Sequence, residues 1–338
     1  MDFHEAREPG EVEFDRALRP TSLDEFVGQD LVRENLRIAI SAAQARREPL
    51  DHVIFAGPPG LGKTTLAHLI AETMQTQITV TSGPALSSPR DVAGTLSRQE
   101  RGDILFIDEI HRLPRSIEEY LYTAMEDHAI DVVLDSGGPS SRSVRISLAP
   151  FTLVGATTRE GLLSGPLRSR FGLVERLETY PTADIRRILE RAAGLLGTRI
   201  DGAAADRLAE RSRGIPRMAL RLQRRVRDLA QVSGKQSIDL DAVDASLQRL
   251  RIDALGLEET DRKILRALIE RREATGLKTL AAMVDESEDT IEEVFEPHLI
   301  RCGMIARTPR GRLATAKAYE HLGEQCPDGM TQEGTLPF

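Results

Sequence analysis

The stretch HVIFAGPPGLGKTT, residues 52–65, decides the fold. Its second part fits the Gly-x-x-x-x-Gly-Lys-Ser/Thr phosphate loop, and the apolar run before it predicts a buried strand. Gly57, Gly60 and Gly62 let backbone N–H groups curl round phosphates. Lys63 supplies a positive charge to the β and γ oxygens, and the Thr64 hydroxyl can ligate magnesium. Together with the positive N-terminus of the next helix, these residues predict a site for a nucleoside triphosphate.

The composition is that of an ordinary globular protein. Its 338 residues, 40% of them hydrophobic, suffice for two or three domains. The two cysteines, Cys302 and Cys326, lack metal-ligand spacing, and no apolar run approaches the length of a membrane span. Because no apolar segment follows the acidic N-terminus, we expect a reduced, cytoplasmic protein with no membrane role. The net charge of −8 argues weakly against nonspecific nucleic-acid binding, although a global sum can hide a local basic patch.

The periodicity changes twice along the chain and predicts three domains. Five strand-like runs alternate with helical or loop stretches, which predicts an α/β fold with a mainly parallel sheet: 52–56, 77–81, 104–107, 151–156 and 173–177. Past Tyr180 the strand patterns stop, and four helical patterns predict a small all-α lid: 183–196, 203–213, 216–233 and 240–251. Two short helices around an acidic turn and a Gly-containing hairpin then predict a winged helix.

The expected boundaries follow from these changes. We expect a large ATPase domain over 1–181, a lid over 182–253 and a winged-helix domain over 254–338 with a disordered tail. The first domain would begin with a mobile arm and carry an inserted β-hairpin at about 130–148.

Local polar residues predict where several helices begin. Ser116 and Glu119 fit a capping box for the helix after the third strand. Thr182 and Asp239 are expected N-caps of two lid helices, and Pro216 suits the first position of another.

A second motif, ILFIDEIHRL at 104–113, distinguishes a hydrolase from a nucleotide switch. The apolar residues predict a buried strand, and Asp108 at its carboxyl end can hold magnesium through water. Glu109 beside it can accept a proton from the water that attacks the γ-phosphate. Two solvated acids at a strand end are the alternative, but the phosphate loop upstream favours hydrolysis.

Three further positions complete the predicted site. The strand FTLVGATTR ends in Thr157 and Thr158, whose hydroxyls could orient the lytic water. Of the two arginines in PLRSRFG, Arg168 and Arg170, the second is our choice for an arginine supplied to a neighbouring subunit, an effect worth about 10³ to 10⁵ in rate. Arg217 in GIPRMAL opens a lid helix, from which it could clamp the γ-phosphate. A surface salt bridge is the alternative for Arg168 and Arg170.

These motifs in this order resemble the AAA+ ATPases and, within them, the RuvB family of Holliday-junction branch-migration motors. The resemblance covers almost the whole chain and rests on LRPTSLDEFVGQ, GPPGLGKTTLA, LFIDEIHRL, FTLVGATTR, PLRSRFG, GIPR and the C-terminal TIEEVFEPHLIRCGMIARTPRGRLAT. The C-terminal segment separates this family from clamp loaders.

The resemblance implies functions for individual residues. Thr158 would be the first sensor and Arg217 the second. His128, where an aromatic residue is expected, and Ile215, where Thr is common, depart from the family pattern. The implied nucleotide-binding set is Leu18, Arg19, Gly60, Gly62, Lys63, Thr64, Thr65, Glu126, Asp127, His128, Arg170, Tyr180 and Arg217.

The C-terminal hairpin predicts a DNA-binding wing. No Asp or Glu lies between Pro297 and Tyr319, whereas five basic residues do: Arg301, Arg307, Arg310, Arg312 and Lys317. Guanidinium groups on a hairpin can contact phosphates without reading sequence, as a motor on arbitrary DNA requires. By resemblance, Arg307 and Arg312 are the foremost candidates, followed by Arg310. A solvated charged turn is the alternative.

The resulting hypothesis is an ATP- and Mg²⁺-dependent ATPase that moves Holliday junctions in DNA recombination and repair. It would act as a homohexameric ring on double-stranded arms of four-way junctions, with RuvA docking on the hairpin and the RuvC resolvase as a further partner. Two alternatives are a clamp-loader or replication-initiator ATPase, and a DNA-binding regulator that uses ATP only as a switch.

Overall fold

The computed structural model describes residues 17–133 and 143–327. The predicted N-terminal arm, the tip of the hairpin and the end of the tail lie outside the described residues. The chain forms two compact units, Met1–Glu178 and Thr179–Phe338.

A five-stranded parallel sheet forms the centre of the first unit. In chain order the strands of the unit, including two outside this sheet, are β1 Val53–Ala56, β2 Ile78–Ser82, β3 Ile104–Asp108, β4 Ala129–Val133, β5 Ser143–Ser147, β6 Thr152–Thr157 and β7 Leu173–Arg176. The strand order in the sheet is β2-β3-β6-β1-β7, and every pairing in it is parallel. This confirms the predicted parallel α/β core.

The three central strands are buried almost throughout, because helices cover the sheet. Ile117 and Leu121 of one covering helix join Leu105 and Ile107 of β3 in a single apolar core. The α-helices are Asp30–Arg46, Lys63–Met74, Pro89–Leu96, Arg115–Asp127 and Gly165–Arg168, with 3₁₀ turns at Gly83–Ala85, Ile110–Arg112 and Glu160–Leu162. The parallel strands bring the carboxyl ends of β1, β3 and β6 to one edge.

The predicted cap of the helix Arg115–Asp127 is wrong. The N-cap is Pro114, and no side chain caps the helix, so Ser116 already lies in its first turn. Proline is tolerated at the N-cap because the N–H that it lacks takes no part in the hydrogen bonds of the helix. A capping box does form at Ser88 and Asp91, which open the helix Pro89–Leu96.

The predicted inserted hairpin is present as an antiparallel pair, β4 with β5. Ile130 of β4 lies opposite Ile146 of β5 and is fully buried in the core of the unit. The hairpin is therefore anchored at its base.

The second unit begins with four lid helices, Thr182–Leu195, Gly202–Arg211, Pro216–Val232 and Leu240–Arg249. Asp239 caps the last of them by accepting a 2.8 Å hydrogen bond from the Ala242 N–H, as predicted. The predicted cap at Thr182 is wrong, because Pro181 occupies the N-cap position. Two strands of two residues each, β8 Arg199–Ile200 and β9 Ser237–Ile238, pair in parallel, although no strand was predicted there.

The C-terminal part of this unit is a winged helix with its own core, which includes Leu268, Phe295 and Tyr319. Its wing is the predicted antiparallel hairpin, β10 Ile305–Thr308 with β11 Gly311–Ala314. The helices are Glu259–Arg271, Leu277–Val284, Glu288–Thr290, Glu296–Arg301 and Ala316–Leu322, with a π turn at Ile291–Phe295. Pro297 follows the π turn and has no N–H to continue the ordinary helical pattern.

Among the described residues, no helix has both the length and the apolar character needed to cross a membrane.

Candidate functional site

The phosphate loop connects β1 to the helix Lys63–Met74. Its glycines have the positive φ angles that favour this residue, 139° at Gly57, 83° at Gly60 and 104° at Gly62. A Cβ at Gly57 would lie only 2.5 Å from the Leu177 carbonyl oxygen, so the close approach requires glycine. The backbone at this position is therefore fixed by packing against the chain after β7.

Lys63 is buried within the loop that precedes it. Its Nζ donates hydrogen bonds to the carbonyl oxygens of Gly57 at 2.6 Å and Pro58 at 2.9 Å. These bonds hold a positive charge in the concavity where the loop would wrap a phosphate chain. Gly62 provides no side-chain cap for the helix, which leaves its N-terminal dipole for an anion.

The acidic motif lies at the end of β3, in the same sheet as the phosphate loop. Asp108 ends the strand, and Glu109 follows with a left-handed φ of 48°. For a residue with a Cβ this backbone conformation is strained, by roughly 1 to 2 kcal/mol. Gly83 packs so closely against this turn that a Cβ there would lie 2.5 Å from the Glu109 carbonyl oxygen. The turn directs the Glu109 side chain toward the end of β6.

Thr158 binds the Glu109 carboxylate directly. Its hydroxyl donates to Glu109 Oε2 at 3.1 Å, and its backbone N–H lies 3.4 Å from the same oxygen. One carboxylate oxygen thus accepts hydrogen bonds from both donors of Thr158. These bonds hold the Glu109 side chain next to the carboxyl end of β6.

His111 is a third group at this carboxylate. Its side chain is almost fully buried, with Nδ1 3.2 Å from Glu109 Oε2 and 2.9 Å from the Thr157 hydroxyl. The ring therefore connects the predicted base to the last residue of β6. We did not predict this residue, although it stands in the quoted motif two positions after Glu109.

The donors at this edge suit a magnesium ion bound together with phosphates. Thr64 offers a hydroxyl and Asp108 a carboxylate, and magnesium prefers oxygen ligands shared with substrate phosphates. Within residues 17–133 and 143–327, no group of three or more His, Cys, Asp or Glu side chains is arranged to hold a metal.

Arg170 belongs to a separate cluster in the same unit. Its guanidinium lies 4.6 Å from the centroid of the Tyr122 ring, pairs with Glu126 Oε1 at 2.9 Å and donates to the Pro166 carbonyl at 2.6 Å. The Tyr122 hydroxyl is 2.7 Å from both Glu118 Oε2 and Ser164 Oγ. Burial raises the pKa of Tyr122, so the phenol remains protonated and uncharged. A rigid aromatic support therefore positions Arg170.

The neighbouring charged residues pair differently. Arg168 forms a 2.7 Å ion pair with Glu160, which also binds Arg176. The hydrogen bond from Arg176 holds the pKa of Glu160 below its ordinary value. Asp127 pairs with Arg145 of the hairpin at 3.1 Å. Arg168 is thus engaged in a local salt bridge.

Tyr180 and Arg217, two candidate nucleotide contacts, both lie in the second unit. The Tyr180 N–H donates to the Gly214 carbonyl at 2.9 Å, and a Cβ at Gly214 would lie 2.7 Å from the Tyr180 carbonyl oxygen. Arg217 follows as the second residue of the helix Pro216–Val232. In the first unit, Leu18 is buried and Arg19 is partly exposed.

The wing arginines are paired with acids that precede the predicted basic segment. Arg307 and Arg312 lie opposite each other across the hairpin. Arg307 Nε and Arg312 Nε contact Glu296 Oε1 at 2.6 and 3.1 Å, and Arg312 Nη2 contacts Glu296 Oε2 at 3.0 Å. Burial alone would raise the pKa of Glu296, but the two arginines outweigh it and hold the pKa below its ordinary value. Arg310 at the hairpin turn is exposed.

This pairing corrects the picture of a uniformly basic wing. Arg307 remains half exposed, whereas the Arg312 side chain is only 15% exposed and is held by the buried Glu296. One guanidinium nitrogen of Arg301 donates to the Arg213 carbonyl at 3.1 Å.

Three family models match the chain in sequence. They are the Holliday junction DNA helicase RuvB P-loop domain at residues 18–177, the RuvB AAA lid domain at 180–253 and the RuvB C-terminal winged helix domain at 254–323. A Holliday junction branch migration complex subunit RuvB from Kosmotoga olearia is 55% identical over 323 residues, 95% of this chain and 94% of the relative. This chain belongs to the RuvB family.

Other RuvB proteins agree in sequence and in fold. The RuvB subunit of Thermotoga maritima is 53% identical over 313 residues, which cover 92% of this chain and 93% of the relative. The solved structure described as the Thermotoga maritima RuvB Holliday junction branch migration motor superposes with a TM-score of 0.85 at 51% identity and covers 92% of this chain and 100% of that one. These matches confirm the predicted RuvB resemblance and fold.

The structure groups the predicted RuvB-family site residues into separate sets. Lys63, Asp108, Glu109 and Thr158 lie along one edge of the sheet, and Arg170 and Glu126 pair directly. Reasoning from sequence missed His111, Tyr122 and Glu296, each of which contacts a residue that it did identify. The position of Glu296, directly before the acid-free segment that begins at Pro297, could have indicated it.

Proposed function

We propose that this chain is an ATP-driven motor that moves Holliday junctions by branch migration. The contact that carries the proposal is the Glu109 carboxylate, held by Thr158 at the sheet edge next to a complete phosphate loop. A hydrolytic centre of this kind, in a RuvB-family chain that ends in a winged helix, fits a motor better than a nucleotide switch.

The phosphate loop would bind the phosphates of the nucleotide, and residues elsewhere in the chain would bind its adenine. The loop N–H groups and Lys63 would bind the β and γ phosphates, with Thr65 in the first turn of the helix. Leu18, Arg19 and Tyr180 are proposed to contact the adenine. Thr64 and Asp108 would hold Mg²⁺, which neutralises charge that develops on the phosphate oxygens.

Glu109 would act as the general base and Thr158 as the sensor of the γ-phosphate. In the present contact the Thr158 hydroxyl donates to Glu109 Oε2. If this hydroxyl turned to a γ-phosphate oxygen, the carboxylate oxygen would be released to accept a proton from the attacking water. His111, 3.2 Å from the same oxygen, would keep the carboxylate in place.

We further propose that Arg170 acts on the nucleotide of a neighbouring subunit in a homohexameric ring. Its partner Glu126 has a side chain that is more than half exposed. A phosphate could therefore replace this carboxylate at the guanidinium, because water would solvate the released Glu126. Glu126, Asp127 and His128 would lie at the same subunit boundary. Arg217 would report the nucleotide state to the lid.

DNA would be held by the wing, and partners by the hairpin. Arg307 and Arg310, which are exposed, would contact phosphates of the duplex arms, and Arg312 would support Arg307 through Glu296. RuvA would dock on the hairpin formed by β4 and β5, and RuvC would act on the same junction.

A mixing experiment tests the catalytic assignments. Glu109→Gln should bind ATP and assemble normally but lose turnover; normal turnover would refute its assignment as base. Arg170→Ala and Lys63→Ala proteins should each be inactive alone. For Arg170→Ala the rate of ATP hydrolysis should fall by about 10³-fold or more. Mixed rings should regain part of the hydrolysis, because some sites pair an intact Lys63 with an intact neighbouring Arg170. Absence of rescue in confirmed mixed rings would argue against action between subunits.

A further inference from the structure

A buried ion cluster connects the lid to the winged helix within the second unit. Arg213, after the lid helix Gly202–Arg211, has a side chain only 1% exposed and a left-handed φ of 60°. Asp261 and Glu258, at the start of the helix Glu259–Arg271, are also buried, with side chains 0% and 8% exposed. We propose that Arg213 is a positioning residue that makes the lid and the winged helix turn as one body, so that movement at Arg217 reaches the DNA-binding wing.

All three guanidinium nitrogens of Arg213 contact the winged-helix side. Its Nη2 and Nη1 contact the two Asp261 oxygens at 2.5 and 3.3 Å, in the forked geometry that fixes orientation as well as distance. Nη2 also lies 3.4 Å from Glu258 Oε1, and Nε donates to the Gly256 carbonyl at 2.9 Å. A single side chain thus binds the connecting segment and the first winged-helix turn.

The backbone reinforces this connection from both sides. A Cβ at Gly256 would lie 2.7 Å from the Arg211 carbonyl oxygen, so the connecting segment packs directly against the end of the lid helix. In return, Arg301 of the winged helix donates to the Arg213 carbonyl at 3.1 Å. The strained backbone at Arg213 is therefore held by contacts on both its side chain and its carbonyl.

The position of the cluster gives it a mechanical consequence. Arg213 lies four residues before Arg217, and only Gly214, Ile215 and Pro216 separate them. A buried ion pair contributes little net stability compared with an apolar pair, but it specifies one arrangement, because any other leaves charges buried without partners. If nucleotide displaced Arg217, the lid and the winged helix would therefore turn together, and the connection between these two parts would not bend.

This inference rests on the proposed motor function, but its test has a readout that does not. The test variant is Arg213→Met with Asp261→Asn, which removes the charges of Arg213 and Asp261. The amide oxygen introduced at position 261 can still accept the hydrogen bond from the Glu258 N–H at the start of the helix. The matched control is Arg186→Met, because Arg186 pairs with Glu190 and Asp206 on the lid alone.

The first measurement is the distance between spin labels on the two parts. Labels at Val232→Cys in the lid and Glu320→Cys in the winged helix, with Cys302 and Cys326 replaced, would be diluted into unlabelled full-length rings. The native protein should give one narrow distance that is the same with ADP and with a non-hydrolysable ATP analogue. The double variant should broaden it, and the control should not. An unchanged distribution in the double variant would overturn the proposal.

The second measurement is the number of junctions moved per ATP hydrolysed. The double variant should keep its ATPase rate within about twofold of the native rate while its yield per ATP falls about tenfold, which a loss of folding alone would not produce. An unchanged yield would also overturn the proposal. If the native protein hydrolyses ATP but moves no junction, the motor function fails, and the distance measurement still decides the role of Arg213.

A milder variant covers the case in which the double variant does not fold. Arg213→Lys keeps the charge but loses the planar fork, so it cannot bind the two Asp261 oxygens in the forked geometry. It should give an intermediate distance width and an intermediate yield. Native values for both would contradict the proposal.

Discussion

His298 makes the stability of the winged helix depend on pH. The residue is buried and its Nε2 lies 3.0 Å from the Leu255 carbonyl oxygen. Burial, with the nearby positive charge of Arg213, lowers the pKa of His298 from 6.5 to about 4. The folded protein therefore keeps the imidazole neutral at pH values where the unfolded chain protonates it.

The sign and size of the effect follow from this shift. Below pH 6.5 the unfolded state binds a proton that the folded state does not, so stability falls as pH falls and stops falling near the folded pKa of about 4. The loss should be about 2 kcal/mol between pH 7 and pH 5, and about 3 kcal/mol in the limit, at 1.36 kcal/mol per unit. His298→Gln keeps an amide nitrogen for the Leu255 carbonyl and cannot titrate, so it should lack this loss.

Hydrogen exchange on the full-length chain can measure this pH-dependent loss of stability. The opening free energy of peptides covering 288–301, corrected for intrinsic exchange at each pH, should fall between pH 7 and pH 5 in the native protein. In the Gln variant this fall should be smaller by about 2 kcal/mol. Parallel pH profiles for the two proteins would refute the reasoning, because the histidine would then not be the group that titrates.

Three other perturbations have defined outcomes. Gly57→Ala should weaken binding of a fluorescent ATP analogue at least about tenfold, because of its φ of 139° and the backbone oxygen 2.5 Å from the added Cβ, whereas Gly161→Ala, which meets nothing within 4 Å, should not; equal affinities would contradict this. Tyr122→Leu should lower steady-state ATPase activity of assembled rings roughly 3- to 30-fold by removing the aromatic support of Arg170, and Tyr122→Phe should lower it less; the reverse order would show that the ring is not the support. Glu296→Gln should steepen the salt dependence of duplex DNA binding by up to about one unit of slope per wing arginine released. An unchanged slope would show that Glu296 does not withhold the charge of these arginines from phosphate.

Much of the fold could be predicted because its determinants are local. Buried parallel strands are short apolar runs, and the phosphate loop requires glycines at Gly57, Gly60 and Gly62, whose positive φ angles the structure confirms. The cap at Asp239 was predictable for the same reason, since its acceptor and donor lie three residues apart. The expected cap at Ser116 was wrong because Pro114, two residues earlier, occupies the N-cap position instead.

The contacts that sequence reasoning missed join residues far apart in the chain. Tyr122 supports Arg170 across 48 positions, and Arg213 meets Asp261 across the same separation. Periodicity and motif spacing carry no information about which side chains meet after the chain has folded. Glu296 lies closer to its partners, but it stands outside the acid-free segment that identified the wing, so the pairing was overlooked.

ATP-dependent dissociation of a synthetic mobile four-way junction tests the motor function most directly. The native chain should dissociate the junction with ATP, and RuvA should stimulate it, whereas Glu109→Gln protein at equal DNA occupancy should dissociate none. ATP hydrolysis without junction movement, in the presence of RuvA, would contradict the proposed function.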